Sequence, residues 1–186
     1  MSTHARRLRA STCPAAITVL LATGLAAAPT AGAARCRGGG LSPASAPRAA
    51  QAAVVCEINR ERRARGLRPV GAHPRLTGMA RRYARAMVRI GFFSHTGPGG
   101  ATLLDRVRAA GYGGRWIAAG EALAWAEGRL ATPHAIVRAW MDSPPHRAVL
   151  LGRAYRDVGI GMALGSPNGR ARRSSATYAA DFGAAR

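Results

Sequence analysis

The spacing of apolar residues predicts an α+β domain, a layer of helices packed on a small antiparallel sheet. Helix-period runs occupy the chain from about residue 55 to residue 141. Two period-two runs follow, Val158/Ile160/Met162/Leu164 and Ala176/Tyr178/Ala180/Phe182. The loop "GSPNGRARRSS" (165–175) separates them, and this is the signature of a β-hairpin. At 186 residues the chain has room for one such domain, with a core that needs no metal to hold it.

The first residues belong to a different class. Arg6, Arg7 and Arg9 precede an uncharged, mostly apolar stretch at 14–28, and "AGA" (31–33) then offers small residues for a signal peptidase. Pro14 and Pro29 bracket a run shorter than the roughly 20 residues that cross a bilayer. The expectation is a secretory signal over 1–33, cleaved near Ala33 or Ala34, with an uncleaved anchor as the lesser alternative. Residues 34–50, rich in Gly, Ser, Pro and Ala, read as a flexible leader. The folded domain is expected over 51–186, with order beginning near Ala49 and no transmembrane segment in the mature form. Cys13 departs with the signal, so Cys36 and Cys56 are left as a pair in an oxidising compartment. A bridge would tie the leader to the first helix; two free thiols are the alternative.

Each element has a local reason. Val55, Ile58 and Arg62 share one helical stripe, stopped by Gly66. Pro74 opens a second helix, where Leu76, Met79, Tyr83, Met87 and Ile90 form an amphipathic stripe before Gly91. Thr102 and Asp105 are spaced as the capping box of a third, which ends at Gly111. The segment 115–126 is apolar without a clear period, and its first part is read as a short strand. Thr132 and Pro133 fit the cap and first turn of a fourth helix, with Ile136, Val137, Trp140 and Met141 inward. That helix runs into Pro144, and a short run begins near His146. No internal repeat is present.

Charge narrows the partners. All 28 basic residues are arginine against 8 acids, a net charge of +20 that falls to about +17 without the signal. Such a body is attracted to anionic envelope polymers and lipids. The arginines lie in nearly every segment, though, which favours a compositional origin over a dedicated patch. With 3 Trp, 4 Tyr and 3 Phe there is no aromatic ladder for stacking bases, so no specific nucleic-acid partner is expected.

Three ionisable residues stand in unusual settings. His95 follows a helix stop and two phenylalanines. Glu121 is the single acid in a stretch that otherwise reads as core, where an unpaired carboxylate costs several kcal/mol or so and therefore needs a partner. His146 follows Pro145 at a helix start, where the local dipole keeps the ring neutral. Spacing alone does not join them, because His95 and His146 are 51 residues apart and no HExxH announces zinc. His73 and His134 read as solvated. Ser94 lacks a GxSxG turn, and the glycines at 38–40 lack the strand and helix of a phosphate cradle.

Seven blocks in order carry a resemblance: "CEINRERRARGLRPV", "YARAMVRIGFFSHTGPGG", "DRVRAAGY", "GEALAWAEG", "AWMDSPPHRAVLL", "YRDVGIGMA" and "YAADFG". Together they span about residues 50–183, and they are similar to the CAP superfamily of cysteine-rich secretory, antigen 5 and pathogenesis-related proteins, in its secreted bacterial branch. The resemblance implies a CAP domain over 51–186 folded as an α-β-α sandwich, with His95, Glu121 and His146 lining a cleft that holds a divalent metal such as zinc. Two departures stand out. Ser143 replaces a second acid, and Ala122 replaces the asparagine of a "GEN" block, an amide that could orient the glutamate.

The implied function is an extracellular or envelope-associated binding module, expected as a monomer, with anionic polymers, lipids or another extracellular protein as its partner. The alternative is a metal-dependent peptide or ester hydrolase in which Glu121 is the general base and His95 and His146 hold the metal. A purely structural coat component is the third option.

Overall fold

A computed structural model describes residues 36–114, 116–169 and 174–185; the expected signal, 1–33, lies outside them. The elements run α1 (Pro47–Arg63), β1 (Gly71–Ala72), α2 (Pro74–Ile90), α3 (Leu103–Ala109) and β2 (Trp116–Glu127). After a 3₁₀ turn over Gly128–Ala131 come α4 (Pro133–Asp142), α5 (Pro144–Leu150), β3 (Asp157–Leu164) and β4 (Ser175–Ala185).

The strands lie in the order β1-β3-β4-β2. The predicted hairpin is β3 and β4, antiparallel from Asp157↔Gly183 to Leu164↔Ala176. The sheet is mixed rather than purely antiparallel, because the two-residue β1 pairs parallel with Asp157 and Val158. β2 corrects a second expectation. The whole of 116–127 is strand, the longest in the sheet, and it pairs with β4 throughout. Its run of Ala and Gly hides the period of two, since small residues leave little contrast between the faces.

Strand alternation divides the core in two. Val158, Ile160, Tyr178, Phe182 and Ala122 meet Val54 and Ile58 of α1 and Ile136 and Trp140 of α4. On the other face, Leu123, Ala163 and Ala179 meet Ala80, Tyr83, Ala84 and Met87 of α2. Helices therefore cover both faces, and the fold is the expected α-β-α sandwich. α2 sits so close to β3 that a Cβ on Gly159 would overlap the backbone of Leu76 and Thr77, and one on Gly161 the backbone of Ala80 and Arg81. Ile90, placed on the buried stripe by spacing, is exposed at the end of α2, where Gly91 turns the chain left-handed at φ 81°.

The N-terminal side is also tied down. Cys36 and Cys56 form a disulfide with Cα atoms 5.7 Å apart. α1 starts at Pro47, slightly before the expected Ala49, as proline's fixed φ suits a first turn. His134 N–H donates to Gly39 O at 2.9 Å. The segment expected as a flexible leader is thus anchored from Cys36 onward. Arg62, fully buried, donates to the carbonyls of Arg68, Leu150 and Gly152 and so closes the C-terminal end of α5.

The capping box of α3 forms as predicted. The fourth helix has no side-chain cap, because Thr132 Oγ1 donates instead to Arg129 O. Neither outlying histidine is simply solvated: the His73 ring packs edge-on against Tyr112, and His134 Nδ1 lies 3.4 Å from Glu57.

Candidate functional site: histidines around a buried carboxylate pair

β2 is an edge strand, and the candidate residues gather around it. Glu121 projects from β2 toward the α2/α3 layer and is 2% exposed. His95 is carried by the loop that leaves α2 at Gly91, and its Nδ1 lies 2.7 Å from Glu121 Oε1, with the ring 59% exposed. His146 is in the first turn of α5. Pro144 and Pro145 occupy the first two helical positions, so the double proline starts this helix as well as ending α4. His146 Nδ1 is 3.0 Å from Ser143 Oγ. Burial lowers the His146 pKa, and the nearby His95 lowers it further, so the neutral ring is favoured. Glu121 and His95 are in direct contact, and His146 lies near enough to His95 for the two rings to interact electrostatically.

Three further residues complete the cluster. Arg106 of α3 donates to Glu121 Oε2 at 2.5 Å, to His95 O at 2.9 Å and to Ala101 O at 3.2 Å. Its guanidinium lies 3.6 Å from the centre of the Tyr83 ring, a cation–π contact. The Tyr83 hydroxyl donates to Ser94 O at 2.7 Å and holds the start of the His95 loop. Asp181 of β4 is paired in register with Glu121 and is fully buried.

Neither oxygen of Asp181 meets a conventional donor. Burial pushes its carboxyl well above the usual range; the negative charge of Glu121 adds to this, and Arg106 opposes it. A protonated Asp181 can itself donate to Glu121, which satisfies a pair that would be unsatisfied with both groups ionised. The signal for Asp181 was present, as a lone acid in the alternating run "AADFG". Arg106 gave none, being one of 28 arginines.

The two sequence departures acquire local meanings. Ala122 points to the face opposite Glu121, into the core cluster with Trp140. A side chain at 122 therefore does not orient that carboxylate; His95 and Arg106 do. Ser143 gives up a capping role and faces the His146 ring instead. Asp142 lies in the open, 3.9 Å from Arg138.

The arrangement does not fit a three-ligand zinc centre. Among the described residues, no group of three or more His, Cys, Asp or Glu is placed to hold a metal ion. Both Glu121 oxygens are engaged, one by a guanidinium that already supplies positive charge there. The Glu121–His95 contact is instead the kind in which a carboxylate orients an imidazole from behind. With Nδ1–H donated to Glu121, Nε2 of His95 is left as an acceptor.

Comparison with known proteins agrees with the fold. A family model described as "Cysteine-rich secretory protein family" matches residues 55–179. The chain is 31% identical over 108 residues to the uncharacterised protein YkwD of Bacillus subtilis (strain 168), a match covering 58% of this chain and 40% of YkwD. It therefore spans well under half of that relative.

Among solved structures, it is similar to an extracellular SCP-domain protein of Bacillus anthracis (TM-score 0.56, 22% identity, 69% of this chain and 38% of that one). It is also similar to an outer surface protein of Borrelia burgdorferi (TM-score 0.59, 21% identity, 70% and 88%). No helix among the described residues is long and apolar enough to cross a membrane. With the matched model covering most of the described residues and the helix–sheet–helix layering in place, the chain belongs to the CAP family of cysteine-rich secretory proteins.

Proposed function

We propose that this chain is an exported binding module of the cell envelope or its surroundings, with the cleft of His95, Glu121 and His146 as its ligand-facing site. The observation that carries this reading is that both oxygens of Glu121 are engaged, by His95 and Arg106. Held from both sides, the carboxylate fixes the His95 ring, which remains largely exposed to a ligand, and a fixed, presented ring is what recognition needs.

Export is supported by the basic, apolar and small-residue pattern of 1–33 and by a disulfide, which persists in oxidising compartments. The similar solved proteins are described as extracellular or as an outer surface protein. Ligand classes that complement the charge are anionic envelope polymers, lipids, or an acidic extracellular protein. A divalent ion such as zinc would rest on the imidazoles of His95 and His146, with Glu121 behind the first ring and Ser143 behind the second. Two nitrogens fall short of the usual three or four protein donors and give weak binding.

The test is a thermal-shift series on the purified protein with wall fragments and anionic lipid. A shift is expected that survives chelator and is lost in the His95→Ala/His146→Ala double variant. Turnover of peptide or ester substrates that disappears with chelator and with Glu121→Gln would replace this reading with the hydrolase. Zinc calorimetry on both proteins decides the metal, since equal heats exclude it from the cleft.

A further inference from the structure

Two aromatic rings stand open beside the His95 cleft. Glu121, Leu123 and Trp125 alternate onto one side of β2, the side that faces α2. Glu121 and Leu123 are buried, whereas Trp125, farther along the strand, is 36% exposed. The loop that carries His95 comes down beside these residues. Val88, near the end of α2, stands where a Cβ on Gly165 would fall, and Gly165 N–H donates to Ser175 O at 2.8 Å. Ser175 is paired in register with Glu127, so the end of α2 is level with the end of β2. From Gly91 the chain descends to His95, which meets Glu121.

Two phenylalanines lie on that descent. Phe92 turns inward, its ring 5.7 Å from that of Tyr83, and packs against the cluster that holds Leu123. Phe93 turns outward and is 46% exposed. Its level falls between Trp125 and Glu121, which are about 13 Å apart along the strand. Among the described residues, Phe93 and Trp125 are the aromatic members of the exposed large hydrophobics, and both flank this one cleft. Ser94 and Thr96, on the same loop, expose hydroxyl-bearing side chains.

We propose that the cleft continues into a glycan-binding rail, in which His95, Phe93 and Trp125 receive successive rings of a polysaccharide strand laid along β2. The inference rests on the cleft being the ligand-facing site, and it names the class of ligand. A pyranose ring has a face of C–H groups edged by hydroxyls. The C–H face packs on the electron-rich face of an aromatic ring, and the hydroxyls find Ser94, Thr96 and Nε2 of His95. Other polymers fit less well. An extended peptide needs free backbone groups on the strand, but the carbonyls of Ala119 and Leu123 already accept from the Tyr155 hydroxyl and Trp140 Nε1. A nucleic acid brings a phosphate with every base. Arg106, the arginine that touches His95, is already committed to Glu121 and two backbone carbonyls.

Isothermal calorimetry of the purified, disulfide-bonded protein with chitotetraose, a neutral strand of linked pyranose rings, tests this. Saturable binding is expected, weakened about tenfold in Trp125→Ala and in Phe93→Ala, the scale on which one stacked ring contributes. Trp125→Phe keeps a ring and should recover most of the affinity. Both side chains are exposed, so the Tm of each alanine variant should stay near that of the parent. Parental affinity in both alanine variants would overturn the rail. So would binding of tetragalacturonate without binding of chitotetraose, since charge alone would then explain it. Tighter, Trp125-dependent binding of oligothymidylate would assign the rings to bases instead. Thermal shifts with wall fragments judge the cleft separately. A shift lost in His95→Ala/His146→Ala but unchanged in Phe93→Ala/Trp125→Ala would keep the cleft and remove the rail; no shift in the parent, with no chitotetraose binding, would remove both.

Discussion

Arg106 shows how a single side chain holds the His95–Glu121 cluster together. Its guanidinium neutralises Glu121 in a place where that carboxylate is almost wholly out of water. Removing one partner of a buried pair strands the other charge, at a cost of about 3–5 kcal/mol. Arg106→Ala should therefore lower Tm by about 6–20 °C, at about 2–4 °C per kcal/mol for a chain of this size. Adding Glu121→Gln should recover more than half of the loss, because no charge is then stranded. A melt of Arg106→Ala that matches the parent would show that the pair holds nothing.

Asp181 makes a prediction of opposite kind. Its folded pKa is raised, first by burial and then by Glu121, so as pH rises above the ordinary carboxylate value the unfolded state releases its proton first. Its stabilising share is present at low pH and is lost as pH climbs toward the folded value. Asp181→Asn removes that dependence, so calorimetry should find the gap in Tm between variant and parent growing in the variant's favour from pH 4 to pH 8. A constant gap would place the titration elsewhere. His95, Glu121 and His146 could be read from sequence because each is a polar group in an apolar or chain-breaking setting. Asp181 met the same criterion, but pairing it with Glu121 required the register of β2 on β4, which no local pattern contains.

At the scale of elements, the close packing of α2 on β3 depends on two missing side chains. Gly159 and Gly161 lie on the same face of β3, and a Cβ at either would run into helix backbone, which cannot swing aside as a long side chain can. Overpacking a core costs about 1–3 kcal/mol and more where backbone must shift. Gly161→Ala should lower Tm by at least several degrees in a thermal melt, whereas Gly40→Ala, with open space around it, should leave Tm nearly unchanged. Similar melts for the two variants would mean that α2 has slack to move.

The helices were legible because their stripes contrast large apolar residues with arginine, and the hairpin because Val, Ile, Met and Tyr alternate with small residues. β2 lacked this contrast. Its identity as a full strand comes from pairing with β4, a tertiary fact. The same holds for β1, whose two residues are strand only because β3 lies beside them.

For the molecule as a whole, the governing quantity is a net charge of +20 carried entirely by arginine. Guanidinium groups stay protonated at any physiological pH, so attraction to anionic surfaces should persist from pH 5 to pH 9. It should vary with salt, since the screening length falls from about 10 Å at 0.1 M to about 3 Å at 1 M. Adsorption of the purified protein to phosphatidylglycerol vesicles, followed by sedimentation, is therefore expected to be strong at 0.05 M NaCl and nearly abolished at 1 M. If the field is diffuse, reversing two arginines far from α2, such as Arg63 and Arg153, should weaken adsorption about as much as reversing Arg85 and Arg89. Adsorption that resisted 1 M salt, or that failed only with the α2 pair, would show that the charge is organised into a lipid-binding face rather than spread over the surface.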